Sequence, residues 1–363
     1  MGDERPIVLV TGSSGFIASH VISTLLNNGN YRVRATEKSL ADVDAVEPVK
    51  KTFPDVELFE GDLSKDAGWK EAVAGCTYVH HIASPLPDLT NQPKGKEADE
   101  IVRTAVDGTI RVLEACRDAG TVKRVVLQSA ISAISNGMRG NSKSKKDHVY
   151  TEADWTDPDE KTCTPYEKSK TYAEKAAWDF VNKLDDEKKF EFVVLNPAAV
   201  WGPVIYPRKC SSHELLVSVL TRQFPSVPDI SMPIVDVRDV ARAHLEAMTN
   251  EQAPGKRFVL WSDTVALIEV AKAYVEEFKS QGYDNIPDSV MGKFLLWTAS
   301  LAKPGAKFCY SLLGVHLIYD NSKMKNDLHI EPLPWRKSAI DSAYSFIEAG
   351  LVEKKPGYKG QEK

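Results

Sequence analysis

The fold is decided by Ile7-Val-Leu-Val-Thr11, which runs directly into Gly12-Ser-Ser-Gly15-Phe-Ile-Ala18. The first five residues form a continuous apolar run, which is typical of a strand buried on both faces of a parallel sheet. The two glycines predict a tight turn and a close approach of the backbone to a pyrophosphate, and Ala18 is small enough for close helix–strand packing. Backbone N–H groups at the start of the following helix favour phosphate charge. The segment therefore predicts a dinucleotide-binding turn, with G-x-x-G-x-x-A spacing in place of G-x-G-x-x-G.

Strand and helix signals alternate beyond this turn. Apolar runs predict further strands at 31–36, 56–63, 77–83, 124–129 and 190–196, and helical periodicity predicts helices near 16–28, 42–51, 69–74, 101–119 and 166–183. This order predicts an α/β fold of the Rossmann type, a doubly wound parallel sheet with a smaller C-terminal substrate lobe. We expect a dinucleotide-binding domain over 1–200 and a substrate-binding lobe over 201–363, with a strand near 257–261 returning to the sheet. The polar stretch 136–161 predicts a long loop without periodicity.

Composition and charge describe a soluble globular protein. The chain has 363 residues, a net charge of −5 and five dispersed cysteines without a C-x-x-C pair. The negative charge argues against nucleic acid or an anionic membrane as the main partner, and the cysteine pattern favours reduced thiols in the cytoplasm. The apolar stretches 294–301 and 308–318 are too short to span a bilayer, so we expect no transmembrane segment. They predict amphipathic helices that cover a core or pocket, with peripheral membrane contact as the alternative.

Tyr166 and Lys170 stand four residues apart and therefore share one face of the predicted helix. A phenol has a reference pKa of about 10, and a nearby ammonium favours the phenolate. Such a pair can pass a proton to or from a carbonyl oxygen while a hydride moves elsewhere. A solvated helix face with one half-buried tyrosine is the plainer alternative.

Two neighbouring residues give opposite indications about the cofactor. Glu37 lies nineteen residues beyond Ala18, near the distance expected for an acid that binds the ribose 2′-hydroxyl of NAD. Lys38 follows at once, and a cation there suits the 2′-phosphate of NADP. Asp62, after the third strand, is placed either to hydrogen-bond the adenine edge or simply to form a turn. The adjacent His80 and His81 would face opposite sides of a strand, so we expect no metal site.

With these pieces in place, the chain resembles the extended short-chain dehydrogenase/reductase family of the NAD-dependent epimerase/dehydratase superfamily. The similar branch contains the dihydroflavonol reductases, cinnamoyl-CoA reductases and yeast methylglyoxal reductases. The resemblance is carried, in order, by the glycine loop, Gly61-Asp-Leu63, His81-Ile-Ala-Ser-Pro85, residues 166–178, Asn196-Pro197, Val200-Trp-Gly-Pro203 and residues 235–244. It implies an NADP(H)-dependent oxidoreductase that reduces an aldehyde or ketone to an alcohol, or runs the reverse. We expect a small-molecule substrate, no nucleic acid, and a monomer or homodimer.

The resemblance also implies roles for individual residues. Tyr166 becomes the general acid, and Lys170 holds the nicotinamide ribose and lowers the tyrosine pKa. Together with the loop analysis, it places the cofactor along Gly12, Ser14, Gly15, Phe16, Ile17, Glu37, Lys38, Asp62, Leu63, Ala83, Ser84, Pro85, Tyr166, Lys170, Pro197, Val200, Ser211 and Ser212. NADP(H) is expected because the branch uses it. NAD(H) stays open because the carboxylate of Glu37 would repel the 2′-phosphate.

The fifth strand departs from the family pattern. The branch reads Thr-Ser-Ser there, and its second serine hydrogen-bonds the substrate carbonyl, whereas this chain reads Gln128-Ser-Ala-Ile-Ser132 with Ala130 at that position. Losing one such donor typically lowers the rate about 10²–10³-fold. Ser132 replaces it, or Ser129 does through a one-residue shift, or Tyr166 acts without a helper. The functional alternatives are a dinucleotide-binding protein with little catalysis and an NAD-dependent epimerase or dehydratase, the latter suggested only by Glu37.

Overall fold

The computed structural model describes residues 3–88, 92–141, 147–208 and 211–361. Its strands are β1 (Ile7–Thr11), β2 (Arg32–Glu37), β3 (Glu57–Glu60), β4 (Tyr78–His81), β5 (Arg124–Gln128), β6 (Val149–Tyr150), β7 (Glu191–Pro197), β8 (Ala199–Trp201), β9 (Ser231–Asp236), β10 (Arg257–Leu260), β11 (Asp263–Ala266) and β12 (Ile318–Tyr319). Its helices are α1 (Phe16–Asn28), α2 (Val43–Thr52), α3 (Trp69–Val73), α4 (Lys96–Ala119), α5 (Pro165–Asn182), α6 (Ser211–Leu220), α7 (Val237–Thr249), α8 (Leu267–Phe278), α9 (Lys293–Ser300), α10 (Pro304–Ser311), α11 (Ser322–Asn326) and α12 (Trp335–Glu348). Short 3-10 turns occur at Ile131–Ala133, Asp186–Lys188 and Lys279–Gln281.

A seven-stranded sheet in the order β10-β7-β5-β4-β1-β2-β3 forms the centre of the molecule, and every pairing in it is parallel. Helices pack on both faces, which confirms the predicted Rossmann-type α/β fold. The strand order reverses between β1 and β4, and ligands of such sheets bind beyond the carboxyl ends of the strands at that point. The glycine loop leaves β1 there, so the topology places it at the expected site.

Strand β4 ends at His81, two residues earlier than the sequence predicts. The cause is the Thr11 hydroxyl at the end of β1, which accepts hydrogen bonds from the N–H groups of Ile82 and Ala83, both at 2.9 Å. These two groups therefore do not continue a strand ladder. Instead they hold the segment after β4 against the glycine loop.

Helix α4 begins at Lys96, five residues before the predicted start at 101. Its first turn carries the acidic residues Glu97 and Asp99, which give no apolar pattern. Their charges interact favourably with the positive end of the helix. A pattern search for apolar residues therefore misses this turn.

The chain beyond β7 builds a second, smaller sheet in the order β11-β9-β8. Its core includes the buried side chains of Trp201, Leu216, Tyr274, Phe278 and Phe346. Strand β10 leaves this region and pairs with β7 at the edge of the main sheet. None of the helices in the described ranges is long and apolar enough to cross a membrane.

Two segments differ from their predictions. The stretch 136–161, predicted as a loop, contains β6, which pairs in parallel with β12, whereas residues 142–146 lie outside the described part. Helix α9 forms as predicted but covers little: Leu296 is its buried residue, while Phe294 keeps 75% of its surface exposed. The prediction that this helix covers a core or pocket is therefore wrong for most of its apolar side chains.

Candidate active site

The turn after β1 leaves little room for a side chain at its two glycines. Gly12 has a φ of 77°, and a Cβ there would lie 3.2 Å from the Cβ of Ala83. A Cβ on Gly15 would lie 3.0 Å from the carbonyl oxygen of Gly12, which accepts the N–H of Gly15 at 2.9 Å. Within the described residues, the N–H groups of Phe16 and Ile17 in the first turn of α1 have no hydrogen-bond acceptor. This turn fits a pyrophosphate.

Glu37 ends β2 and braces the same turn. One of its carboxylate oxygens, Oε2, accepts hydrogen bonds from Ser13 Oγ at 2.8 Å and from the N–H of Ser14 at 2.9 Å. The side chain is buried, whereas that of Lys38 is exposed. The carboxylate therefore has a structural role in the loop, and the adjacent cation is accessible to a ligand.

Asp62 follows β3 and forms a turn. Its Oδ1 accepts the N–H of Ser64 at 2.9 Å and the hydroxyl of the same residue at 2.8 Å. Burial raises the pKa of Asp62, but these hydrogen bonds and the nearby Lys38 and Lys65 leave it below its usual value. The neighbouring Leu63 packs against Gly108 of α4. The carboxylate stays ionised beside the carboxyl end of the sheet.

Arg208 is a residue of this region that the sequence did not identify. Its Nη1 lies 2.6 Å from Ser14 Oγ, although the two residues are 194 positions apart. The segment before it is anchored by Tyr206, whose buried ring meets that of Phe53 at 6.1 Å. A cation from the segment after β8 therefore reaches the glycine loop. The only sequence signal was a basic pair after Pro207, which is too common to interpret.

The start of α6 lies beside the start of α1. The ring of His213 contacts that of Phe16 with centroids 4.3 Å apart. Ser212 is half-buried at this point, while the side chain of Ser211 lies outside the described part of the structure. Two other predicted cofactor residues, Pro197 and Val200, are buried at the end of β7 and in β8.

Tyr166 and Lys170 lie on the first turns of α5. This helix starts with a capping box, in which Thr164 Oγ1 accepts the N–H of Glu167 and the Glu167 carboxylate accepts the N–H of Thr164. Glu167 also forms an ion pair with Arg139. These contacts fix the end of the helix from which the tyrosine projects.

The environment of this pair differs from the expectation in one respect. Burial, together with the charge of Glu167, raises the pKa of Tyr166, whereas the family resemblance implies that Lys170 lowers it. Lys170 is itself buried and donates from Nζ to the carbonyl oxygen of Gln128 at 3.3 Å. Burial lowers the pKa of Lys170 to about 8, with the charge of Glu174 acting in the opposite direction. In the described part of the chain, the Tyr166 hydroxyl has no hydrogen-bond partner.

Ser129 belongs to a buried network behind the site. Its hydroxyl donates to Glu174 Oε2 at 2.5 Å, and Asn196 Nδ2 donates to the same oxygen at 2.8 Å. The other carboxylate oxygen accepts from Arg257 Nε at 2.5 Å. Arg257 also donates to the backbone carbonyls of Glu152 and Asp154. The Ser129 hydroxyl is thus part of a network that links the ends of β5, β7 and β10 to α5 and to the loop after β6.

Ser132 lies on the 3-10 turn that follows β5, and this turn packs against α5. Its carbonyl oxygen accepts the Thr156 hydroxyl at 2.8 Å. The turn starts at Ala130, whose carbonyl accepts Asn196 Nδ2 at 3.3 Å and the N–H of Ala133 at 3.0 Å. The Ser132 hydroxyl makes no hydrogen bond within the residues described. Of the two candidate serines, Ser132 is therefore the one whose hydroxyl is unengaged.

His80 and His81 face opposite sides of the sheet. His81 Nδ1 lies 3.0 Å from the Thr11 hydroxyl, whereas His80 Nδ1 lies 3.1 Å from His244 Nδ1 on α7. His244 Nε2 in turn lies 2.7 Å from Gln128 Oε1. Burial lowers the pKa of both His80 and His81 to about 3, so they stay neutral. No group of three or more potential metal ligands occurs in the described residues.

Four predicted residues line one small cavity of about 10 Å³, room for about one water molecule. These residues are Ala83, Ser84, Ser129 and Lys170. A groove of about 560 Å³ lies instead at the amino ends of the first strands. Its lining includes the ion pair Arg34–Glu57, with 2.8 Å between Nε and Oε2, and it is remote from the tyrosine–lysine pair.

Comparison with known proteins shows the family to which the chain belongs. The family model described as the NAD dependent epimerase/dehydratase family matches residues 8–260. The chain therefore belongs to that family. Cinnamoyl-CoA reductase from Medicago truncatula is 34% identical over 256 residues, which are 69% of this chain and 74% of the relative. Dihydroflavonol 4-reductase from Zea mays is 31% identical over 273 residues, which are 73% of this chain and 72% of the relative.

Among solved structures, yeast methylglyoxal/isovaleraldehyde reductase Gre2 complexed with NADPH has a TM-score of 0.76 and 26% identity, and the match covers 95% of this chain and 99% of that one. These relatives confirm the resemblance to the reductase branch of the extended short-chain dehydrogenase/reductase family. They support an oxidoreductase activity with a nicotinamide dinucleotide cofactor.

Proposed function

We propose that this protein is an NADPH-dependent reductase that converts a small aldehyde or ketone into an alcohol. The observation that carries the proposal is the contrast at the end of β5: among the described residues, the hydroxyls of Tyr166 and Ser132 have no hydrogen-bond partner, while that of Ser129 donates to Glu174. Helix α5 carries Tyr166 and the buried Lys170, and Ser132 lies on the 3-10 turn that packs against this helix. Two free donors at one edge of the sheet suit a carbonyl oxygen.

The residues present fit a dinucleotide. The turn at Gly12 and Gly15 would hold its pyrophosphate, together with the N–H groups at the start of α1 that have no acceptor among the described residues. Lys170 would hold the nicotinamide ribose. When bound, the dinucleotide supplies the hydride. This arrangement makes the segment held against Gly12, including Ala83, one wall of the cofactor site.

Tyr166 donates its phenolic proton to the carbonyl oxygen as negative charge develops there, and Ser132 donates a hydrogen bond to the same oxygen. The raised pKa of Tyr166 keeps the phenol protonated before reaction, as an acid requires. Lys170 then stabilises the phenolate left behind, since its ammonium is charged below a pKa of about 8. The phenolate recovers a proton from solvent before the next turnover.

The preference for NADPH is proposed from the end of β2. Glu37 is committed to Ser13 and Ser14, which makes its carboxylate less available to a ribose hydroxyl. Lys38 is exposed, and Arg208 adds a second cation at the loop. Positive charge at this position favours a 2′-phosphate.

The test is a screen of NADPH and NADH consumption over small aldehydes and ketones. Tyr166→Phe should abolish turnover of every substrate found, while leaving NADPH binding intact. Tyr172→Phe is the matched control, since Tyr172 lies on the same helix with 38% of its surface exposed, and it should keep full activity. Equal activity of the Tyr166→Phe variant and the control would refute the proposal.

A dinucleotide-binding protein with little catalysis is the second candidate, and Ala130 is the observation that favours it. In that case the cofactor binds tightly, no substrate in the screen turns over, and Ala130→Ser produces no turnover either.

We further expect the segment 201–363 to shape the substrate pocket. The cysteines Cys76, Cys116, Cys163 and Cys309 are free and buried, which is consistent with a cytoplasmic enzyme.

A further inference from the structure

Helix α9 presents an apolar face to solvent. Phe294, Trp297 and Leu301 recur at positions i, i+3 and i+7, and keep 75%, 43% and 72% of their surface exposed. The rings of Phe294 and Trp297 lie 5.7 Å apart, which shows that they share one side of the helix. Leu296 points the other way and is fully buried. We call Phe294, Trp297 and Leu301 the α9 face. Contiguous large apolar side chains on a surface mark an interaction site.

The charge of the surrounding segment is opposite to that of the whole protein. Residues 289–319 contain three lysines and no aspartate or glutamate, although the chain has a net charge of −5. The lysines are Lys293 at the start of α9, Lys303 between the helices, and Lys307 on α10. All three are exposed, and none forms an ion pair with any described residue. The α9 face is thus bordered by positive charge that pairs with no acid in the described part of the chain.

We propose that the α9 face, with its three lysines, docks the protein onto an anionic lipid surface. Phe, Trp and Leu insert at the boundary between headgroups and acyl chains, and lysines around them bind anionic headgroups. The cytoplasmic leaflet is the anionic one, which agrees with the location expected from the cysteines. The net charge of −5 argues against binding through the whole surface but not through this local patch.

A second copy of the chain fits this face less well. In a two-fold symmetric contact the same surface meets itself, so the lysines of one protomer would lie near those of the other. Residues 289–319 contain no acid to pair with them, and like charges in an interface are destabilising. The charge pattern therefore favours lipid over self-association.

Sedimentation with vesicles tests the proposal on the intact protein. The vesicles are phosphatidylcholine alone and phosphatidylcholine mixed with phosphatidylserine, each at low and at physiological salt. We expect binding that depends on phosphatidylserine and weakens with salt. The triple variant Phe294→Ser, Trp297→Ser and Leu301→Ser should bind at least about tenfold more weakly, because it loses the inserted apolar area.

Charge reversal gives the second variant. Replacing Lys293, Lys303 and Lys307 by Glu should weaken binding by about fivefold or more for each lysine near the surface at low salt. The matched control is Val43→Ser with Lys50→Glu and Lys51→Glu on α2, where Val43 is 64% exposed. This control should sediment like the wild type. Circular dichroism and reductase activity check that every variant stays folded.

Three outcomes would overturn the proposal. The wild type fails to sediment with phosphatidylserine vesicles at low salt, or the apolar triple variant sediments equally well. Alternatively, analytical ultracentrifugation without lipid shows a dimer that the apolar triple variant converts to a monomer, while vesicles bind neither form. In that last case the α9 face is a contact between two copies.

Discussion

Replacing Ser132 by alanine is the sharpest test of the site, because it separates the two candidate serines. The Ser132 hydroxyl makes no bond within the described residues, so its loss leaves no described buried group unpaired. If it donates to the substrate carbonyl, Ser132→Ala should lower kcat/KM by about 10²–10³, the usual effect of removing one oxyanion donor. The free energy of unfolding should change little.

Ser129→Ala should behave in the opposite way. The Ser129 hydroxyl donates to the buried carboxylate of Glu174 at 2.5 Å, and a hydrogen bond to a charged group contributes about 1.5–3 kcal/mol to stability. Among the described residues, its removal leaves Glu174 with donors from Asn196 and Arg257. We therefore expect a loss of about 1.5–3 kcal/mol in the free energy of unfolding, with a change in kcat/KM below about tenfold.

The assay pairs NADPH-dependent turnover of the best carbonyl substrate with urea unfolding, for the wild type and both serine variants. The prediction is refuted if Ser129→Ala loses more rate than Ser132→Ala while its unfolding free energy is unchanged. That result would place Ser129 at the substrate. Ala130→Ser completes the series: with Ser132 already acting as donor, the added hydroxyl should raise kcat/KM by less than about tenfold. A gain of about 10²–10³ would instead show that the wild-type site lacks a donor.

Three further variants test the charges around the cofactor. Lys170→Met should abolish turnover but raise the free energy of unfolding at pH 7 by up to about 3 kcal/mol, since burial lowers the folded-state pKa to about 8 from 10.5. Urea unfolding should show that the difference in unfolding free energy between this variant and the wild type narrows as the pH rises from 8 to 10.5. In that range the unfolded wild type binds more protons than the folded one, so the wild type gains stability with pH. Glu37→Gln should tighten NADPH binding about fivefold relative to NADH, measured by fluorescence titration, whereas weaker NADH binding alone would indicate a ribose contact. Arg208→Gln should weaken NADPH binding about tenfold with kcat unchanged and a shallower salt dependence, and a lowered kcat would contradict a purely binding role.

The main sheet could be predicted because each of its strands carries its own signal. A strand buried on both faces reads as a continuous apolar run, and β1, β5 and β7 all show one. The end of β4 could not be predicted, because it depends on the Thr11 hydroxyl reaching residues more than 70 positions away. Local pattern therefore predicts the presence of a strand, and tertiary contacts set its length.

The same distinction applies to the candidate site. The glycine loop and the Tyr166–Lys170 pair are local patterns and could be found from spacing alone. Arg208 approaches the loop from 194 residues away, and Arg257 reaches Glu174 across 83 residues. These contacts have no local signature, so sequence reasoning misses them. For the same reason, the sequence did not show that burial raises the pKa of Tyr166, since burial is a property of the folded molecule.

The long-range contacts bear directly on the alanine in the fifth strand. The carboxyl end of β5 is held on one side by Gln128, whose side chain lies 2.7 Å from His244 and donates to the carbonyl of Ser129 at 3.1 Å. On the other side Glu174 binds the Ser129 hydroxyl. Because this strand end is pinned, the turn that starts at Ala130 has a fixed direction. A rigid turn can position a donor as well as a strand can. The alanine at position 130 therefore removes a hydroxyl from the end of the strand. The turn still provides a fixed position for the hydroxyl of Ser132, two residues later.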